Sequence, residues 1–263
     1  MPRAHVHHAV AHVAVALALV AAPACRRAPE PAAADPAASD HTGTAPPPRV
    51  LVFTRTAGYR HNAIPDGVAA LRQLGTENGL VLEATEDPGA FTDASLARFA
   101  AVVFLSTTGD VLDDVQQAAL KGYVERGGGF VGIHAAADCE YGWPWYESLI
   151  GAWFARHPEV QSATVRATGV AHPAAVAVPD PWVRTDEWYD FQRLPAPDVT
   201  VLLTVDEASY HGGGMGAPHP IAWAHPVGQG RAFTTAMGHT RESYAEPLFR
   251  AHLLAGLRWA AGL

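Results

Sequence analysis

Cysteine is nearly absent: the 263 residues contain two, Cys25 and Cys139. Cys25 falls in an N-terminal segment of unusual composition, so only Cys139 is left for the folded part and no intramolecular disulfide is available there. Basic clusters are missing too. The formal net charge is -8 and no basic run follows Arg60, which argues against nucleic acid, whose phosphate backbone needs a clustered positive face. No apolar run is long enough to make a good membrane span; the stretch from Ala9 to Ala22 is short and interrupted by His12. Internal repeats at solenoid periods are absent as well. What is present is a chain with 49% apolar residues, ample for a substantial core, and with 24 glycines and 21 prolines that imply many loops.

The first residues combine a basic start at Arg3, an apolar stretch and the small residues Ala22-Pro23-Ala24. That pattern predicts an export signal over 1–24, cleaved just before Cys25. A cysteine at this point resembles the lipobox of bacterial lipoproteins, although Ala22 stands where leucine is usual. The expected location is therefore exported, periplasmic or at the cell surface, with membrane contact only through a lipid on Cys25. Residues 25–48 are rich in proline and alanine with almost no large apolar side chain, and read as a disordered tether.

From Arg49 the pattern changes. RVLVFT is a short β-branched run, and Val68, Leu71 and Leu74 then recur at helical spacing before Gly79. LVLEAT (80–85) and AVVFLS (101–106) read as two more buried strands, with a short helical piece near Asp93 to Phe99 between them. A helix from about Asp113 to Arg126 ends in three glycines and is followed by the strand GFVGI. This alternation predicts a doubly wound α/β fold with a mostly parallel sheet over 49–263. After Trp145 the candidate strands ATVRAT, WVRTDEWYDF, VTVLLTV, PIAWAH and RAFTTAM predict an antiparallel extension in the C-terminal half. The closing helix presents Phe249, Leu253, Gly256, Leu257 and Ala260 as one stripe.

Ligands of open α/β sheets bind outside the carboxyl ends of the strands, so ionisable residues that directly follow a strand are the site candidates. His61 follows the first strand, Thr108 and Asp110 the third, His134 the fourth, and His239 the RAFTTAM strand. Three histidines thus share one rim. Asp186 and Glu187 lie in an apparent strand whose alternation sends them to opposite faces, so at most one of them joins a given pocket. A histidine cluster with a carboxylate suits either a divalent metal, zinc or manganese, held by His61, His134 and His239, or a general acid–base pocket. The sequence leaves both open.

Other residues have plainer readings. His157, His172, His219 and His225 each precede proline, which holds the backbone extended. Of these only His157 is kept as a weak candidate. Asp138 and Tyr141 follow the corner closely enough to line the same pocket, whereas Cys139, without a basic neighbour, reads as structural. The glycine runs at 127–129 and 212–214 lack the spacing and lysine of a phosphate loop.

The stretches RVLVFTRTAGYRHNAI, AVVFLSTTGDVL, GGGFVGIHAAADCEYGWPWY, RTDEWYDF, HPIAWAHPVGQGRAFTTAMGHTRESY and AHLLAGLRWAAG resemble the ThuA-like, or trehalose-utilisation, proteins of the class I glutamine amidotransferase-like superfamily. The resemblance spans nearly everything from Arg49 to Leu263. Amidotransferases of that superfamily carry a cysteine where this chain has His134, so the resemblance implies the scaffold without thioester chemistry. It also implies carbohydrate metabolism and, through the wider pathway, a small saccharide or 3-keto-sugar partner. In that setting His134 or Glu187 is the expected base, with His61 and His239 stabilising an oxyanion directly or through a metal. The expected sugar contacts are Tyr59, Thr108, Asp110, Asp138, Trp143, Asp186 and Tyr189. The alternative is a saccharide-binding domain without catalysis that stacks the sugar on Tyr59, Trp143, Trp145, Trp188 and Tyr189.

Overall fold

A computed structural model describes residues 45–263. The expected export signal, most of the tether and Cys25 lie outside the described residues. The chain runs through β1 (Arg49–Phe53), α1 (Ile64–Glu77), β2 (Val81–Thr85), α2 (Asp93–Leu96), β3 (Ala101–Leu105), α3 (Asp114–Glu125), β4 (Gly129–Ile133), α4 (Pro144–Ile150) and β5 (Phe154–Arg156). It continues through β6 (Gln161–Ala167), α5 (Pro173–Val176), β7 (Trp182–Asp186), β8 (Asp190–Phe191), β9 (Thr200–Asp206), β10 (His219–Val227), β11 (Gly230–Thr235) and α6 (Pro247–Ala261).

Nine strands form one sheet in the order β2-β1-β3-β4-β11-β10-β9-β6-β7, while β5 and β8 pair separately. From β2 to β11 every neighbour is parallel, and from β11 through β10, β9 and β6 to β7 every neighbour is antiparallel. The sequence pattern follows this division. In β3 and β4 every residue is buried, as expected of strands covered on both faces, whereas β7, at the far edge of the extension, alternates buried and exposed. LVLEAT departs from its expected burial: β2 is the sheet's edge strand and only half covered.

Helices pack close to both faces of the parallel half. A Cβ at Gly132 would run into Ile150 of α4, and one at Gly129 would meet the Ala260 carbonyl of α6. Because 129 and 132 point to opposite faces, α4 and α6 lie on opposite sides of β4. A capping box between Asp113 and Gln116 starts α3, and Gly262, at φ 74°, ends α6 in a left-handed turn. Phe104 centres the core on the α4 side, in ring contact with Phe53, Phe91, Phe130 and Tyr146. With the sheet so wedged, the loops leaving β1, β3, β4 and β11 emerge together at one rim.

Candidate active site

His134 stands at the corner between β4 and the next helical turn with φ 54°, and Ser106, at the end of β3, has φ 49°. A left-handed non-glycine residue costs on the order of 1–3 kcal/mol, so both corners are held by what surrounds them. The His134 ring is fully buried, and its Nδ1 lies 2.9 Å from the Ala236 carbonyl. A carbonyl only accepts, so Nδ1 carries the hydrogen and Nε2 presents a lone pair.

Three groups crowd that lone pair. His61 Nε2 is 3.2 Å away, His239 Nδ1 3.1 Å and the Tyr189 hydroxyl 3.0 Å. Glu187 Oε2 lies 3.5 Å from the same nitrogen and 3.0 Å from His239 Nδ1. The loop carrying His61 is fixed from β3: the Thr108 hydroxyl donates to the Tyr59 carbonyl at 2.9 Å, and the Ala57 N–H donates to the Thr108 carbonyl at 2.7 Å.

His239 is held from beneath by Asp186. That carboxylate, fully buried, accepts the N–H groups of Gly238 at 2.8 Å and His239 at 2.9 Å. Arg184, itself buried, lies 3.2 Å from it. Asp186 therefore supports the site and does not line it.

The charges divide accordingly. His61 is pushed down to about 3, chiefly by burial and then by His134 and His239, and is neutral at ordinary pH. Burial favours the neutral acid at Glu187, but the adjoining His134 and His239 outweigh it and hold the carboxyl well below the usual range. For His239 burial opposes the charge, and Glu187 more than reverses this, moving it upward.

The four residues His61, His134, Glu187 and His239 each offer one ligand atom, all within 4.8 Å of one another. A tetrahedral zinc with bonds of about 2.0–2.1 Å separates its ligand atoms by about 3.3 Å. The observed nitrogen spacings of 3.1 and 3.2 Å are close to that value, and the Ala236 carbonyl fixes the His134 tautomer as an outer partner does for a metal-ligating histidine. The residues present fit a divalent cation. His61 Nδ1, buried without a hydrogen-bond partner, lacks such support.

Of the cluster, His61, Glu187 and His239 line a cavity of about 790 Å³, and His134 lies buried behind them. Tyr59, Asp138 and Tyr189 line it as the sequence predicts; Thr108, Asp110, Trp143 and Asp186 do not. Trp143 stacks on Trp145 and Tyr146 instead. His157 had the weakest claim, yet it lines the cavity with Nδ1 3.1 Å from Glu187 Oε1. Phe154, Pro158, Glu159 and Val160 extend the same wall and have no sequence signal, because the short β5–β8 pairing that places them has no periodicity of its own. Burial pushes the Asp138 carboxyl up, against Tyr141 and His134.

Two further groups resolve into structure. The Cys139 thiol donates to the Gly109 carbonyl at 3.1 Å, and burial raises it far above the range of a reactive thiolate. Asp190, Glu207 and His219 also come together, but Glu207 Oε1 already accepts from the N–H groups of Met215 and Gly216, Asp190 pairs with Arg156, and His219 Nε2 is 2.8 Å from the Tyr189 carbonyl. That group braces Tyr189.

A family model described as trehalose utilisation, ThuA, matches residues 49–260. No curated relative matches the chain. A ThuA-like protein from Bacteroides uniformis is similar in structure, with a TM-score of 0.70 at 24% identity over 84% of this chain and 94% of that one. One from Parabacteroides merdae gives 0.69 at 21% identity over 82% and 90%. A cold-adapted β-galactosidase from a Rahnella species shares the fold more distantly, at 0.52 and 15% identity, over 82% of this chain and 31% of that one. At these identities the likeness to solved structures establishes the fold.

Proposed function

The chain belongs to the ThuA family, tied to carbohydrate metabolism, and from that premise we propose that it is a cation-dependent enzyme acting on 3-keto glycosides or disaccharides. The observation that carries this reading is the convergence of His61 Nε2, His239 Nδ1 and Glu187 Oε2 on the free lone pair of His134 Nε2. Without a cation, at most one hydrogen can point at that lone pair, and several donors compete for it. A divalent ion on His61, His134, His239 and Glu187 would act as a Lewis acid toward the sugar ketone.

The chain's own groups supply the proton transfers. A ketone at C3 acidifies the hydrogen at C2; its removal forms the C1–C2 double bond as the C1–O bond breaks. His157 suits the base. Its Nδ1 faces two acceptors, Glu187 Oε1 at 3.1 Å and the Pro158 carbonyl at 3.0 Å, so that nitrogen carries the hydrogen and Nε2 is free to accept the C2 proton. This shifts the expected base from His134 or Glu187 to a residue those two leave available.

Elemental analysis of the purified, exhaustively dialysed protein tests the reading. We expect near-stoichiometric zinc or manganese in the wild type and none in His134→Ala; a metal-free wild type that also fails to bind added zinc or manganese would defeat it. Binding without catalysis has less support, since of Tyr59, Trp143, Trp145, Trp188 and Tyr189 only Tyr59 and Tyr189 line the cavity.

A further inference from the structure

The deep end of the cavity and its mouth differ in chemistry. His61 and Glu187 are buried, whereas Tyr59 and Val160, which line the same cavity, are 63% and 42% exposed. The backbone beneath Tyr59 is nevertheless fixed. The N–H groups of Ala57 and Gly58 donate to the Thr108 carbonyl at 2.7 and 3.2 Å, and the Thr108 hydroxyl donates to the Tyr59 carbonyl at 2.9 Å. A Cβ at position 58 would come within 3.3 Å of that hydroxyl oxygen, so the glycine permits the close seat. The Tyr59 ring meets His61 at right angles, with centroids 4.9 Å apart, and no other aromatic ring packs on it among the described residues. A large apolar face is thus held out to solvent at the mouth on a loop that does not need a ligand to order it.

The rest of the exposed lining comes from the loop between β5 and β6, where Pro158, Glu159 and Val160 directly follow His157. Two properties of this mouth decide what fits. The side chains of Pro158 and Val160 neither donate nor accept, so the hydroxyls of a second sugar ring would lose water there without gaining a partner, while an aryl ring has no such groups to lose. Away from the cation cluster the carboxylates Asp138 and Glu159 line the cavity and no lysine or arginine does, so an anionic group would be repelled. The sugar itself sets the direction. C1, C2 and C3 are consecutive, so with the C3 oxygen at the cation and C2 at His157, the C1 substituent is carried outward along residues 158–160 and toward Tyr59.

Resting on the keto-glycoside reading above, we propose that the mouth is an aglycone subsite for an uncharged aromatic group, stacked on Tyr59 and bordered by Pro158 and Val160, and that aryl glycosides are therefore preferred over disaccharides. Tyr59 is in this account a specificity residue. It sorts substrates by the group that leaves and takes no part in the proton transfers.

Equilibrium binding to the full-length, metal-loaded protein, followed by NMR titration with ordinary glucosides that carry no ketone, tests the subsite apart from the reaction. The wild type should bind phenyl glucoside about tenfold more tightly than methyl glucoside and more tightly than a glucosyl-glucose disaccharide. That preference should shrink to about twofold in Tyr59→Ala, persist in Tyr59→Phe, which keeps the ring, and shrink in Val160→Asn. A carboxylate on the phenyl ring should remove most of the gain. Equal affinity for the phenyl and methyl compounds, no binding of either, tighter binding of the disaccharide, or a preference unaltered in Tyr59→Ala would each overturn the proposal. Turnover of the corresponding 3-keto glucosides separates the two readings. A wild type that turns over none of them yet keeps the Tyr59-dependent preference refutes the keto-glycoside reading and leaves the subsite standing, whereas turnover by a protein without that preference refutes the subsite and leaves the reaction.

Discussion

The two halves of the sheet contribute different things to the site. The parallel half is closed on both faces at β3 and β4, and the loops after β1, β4 and β11 carry His61, His134 and His239, which provide lone pairs. The antiparallel extension ends in an edge strand, β7, that is exposed on one face, and the break between β7 and β8 supplies Glu187 and Tyr189, while β5 leads into His157. These provide negative charge and proton transfer. The parallel half thus fixes nitrogens, and the antiparallel half brings the carboxylate up to them. The difference shows in the histidines: His61 is neutral through burial, whereas His239, which touches the extension's carboxylate, is moved upward.

The largest expected effect breaks the parallel half's contribution. His134→Ala removes the atom on which the others converge, and isothermal titration with zinc should show binding lost altogether. Glu187→Gln keeps the shape and removes the charge, so it should weaken zinc binding by about 100-fold and leave measurable affinity. Equal loss in the two variants would erase the distinction between the halves. Asp186→Asn comes next. It retains one acceptor for the Gly238 and His239 N–H groups but leaves Glu246 as the carboxylate partner of Arg184 beneath the loop, and a roughly tenfold weaker zinc affinity with unchanged far-UV circular dichroism is expected.

Much of the parallel half was legible in the sequence, because a strand buried on both faces reads as an unbroken apolar run and a residue directly after it can only stand at the rim. His61, His134 and His239 follow from that rule. The extension was harder. WVRTDEWYDF looks like one strand, yet it breaks at Glu187, and that break turns the Glu187 side chain into the cavity while Asp186 stays below the His239 loop. Of Asp186 and Glu187 only Glu187 lines the cavity, although the strand whose alternation was expected to separate them ends at Asp186. Thr108 was correctly placed after β3 but its hydroxyl faces the Tyr59 backbone. His157 was kept only as a weak candidate because of the proline after it, yet its ring reaches Glu187; the pairing of β5 with β8 that delivers it spans too few residues to leave a pattern.

A smaller effect sharpens the same contrast through pH. His252 on α6 is fully buried behind the parallel half, and burial lowers it to about 4. Its Nδ1 is 2.8 Å from the Ala174 carbonyl and its Nε2 has no partner. The unfolded chain binds a proton here near pH 6.5 and the folded chain does not, so its contribution to stability is full above 6.5 and is lost as the pH falls toward 4. At pH 5 the loss is about 2 kcal/mol. Urea unfolding at pH 7 and pH 5 should show it, with a smaller difference in His252→Gln. His239, displaced the other way by Glu187, contributes stability below pH 6.5 that fades as the pH rises through its folded value.

The smallest effect concerns Trp143, which the sequence offered as a sugar contact. Its ring centroid lies 4.9 Å from that of Trp145 and 6.0 Å from that of Tyr146, and Trp145 in turn lies under Lys121 of α3. This aromatic stack joins α4 to α3 outside the cavity. Trp143→Ala should therefore cost about 1–2 kcal/mol of stability through lost packing, read as a lower urea midpoint. Because the stack shares no partner with the cation cluster, zinc affinity should stay within about twofold of the wild type. A fall comparable to that in Glu187→Gln would mean that the α4 face of the parallel half reaches the cation cluster after all, and that the division of labour between the two halves is drawn in the wrong place.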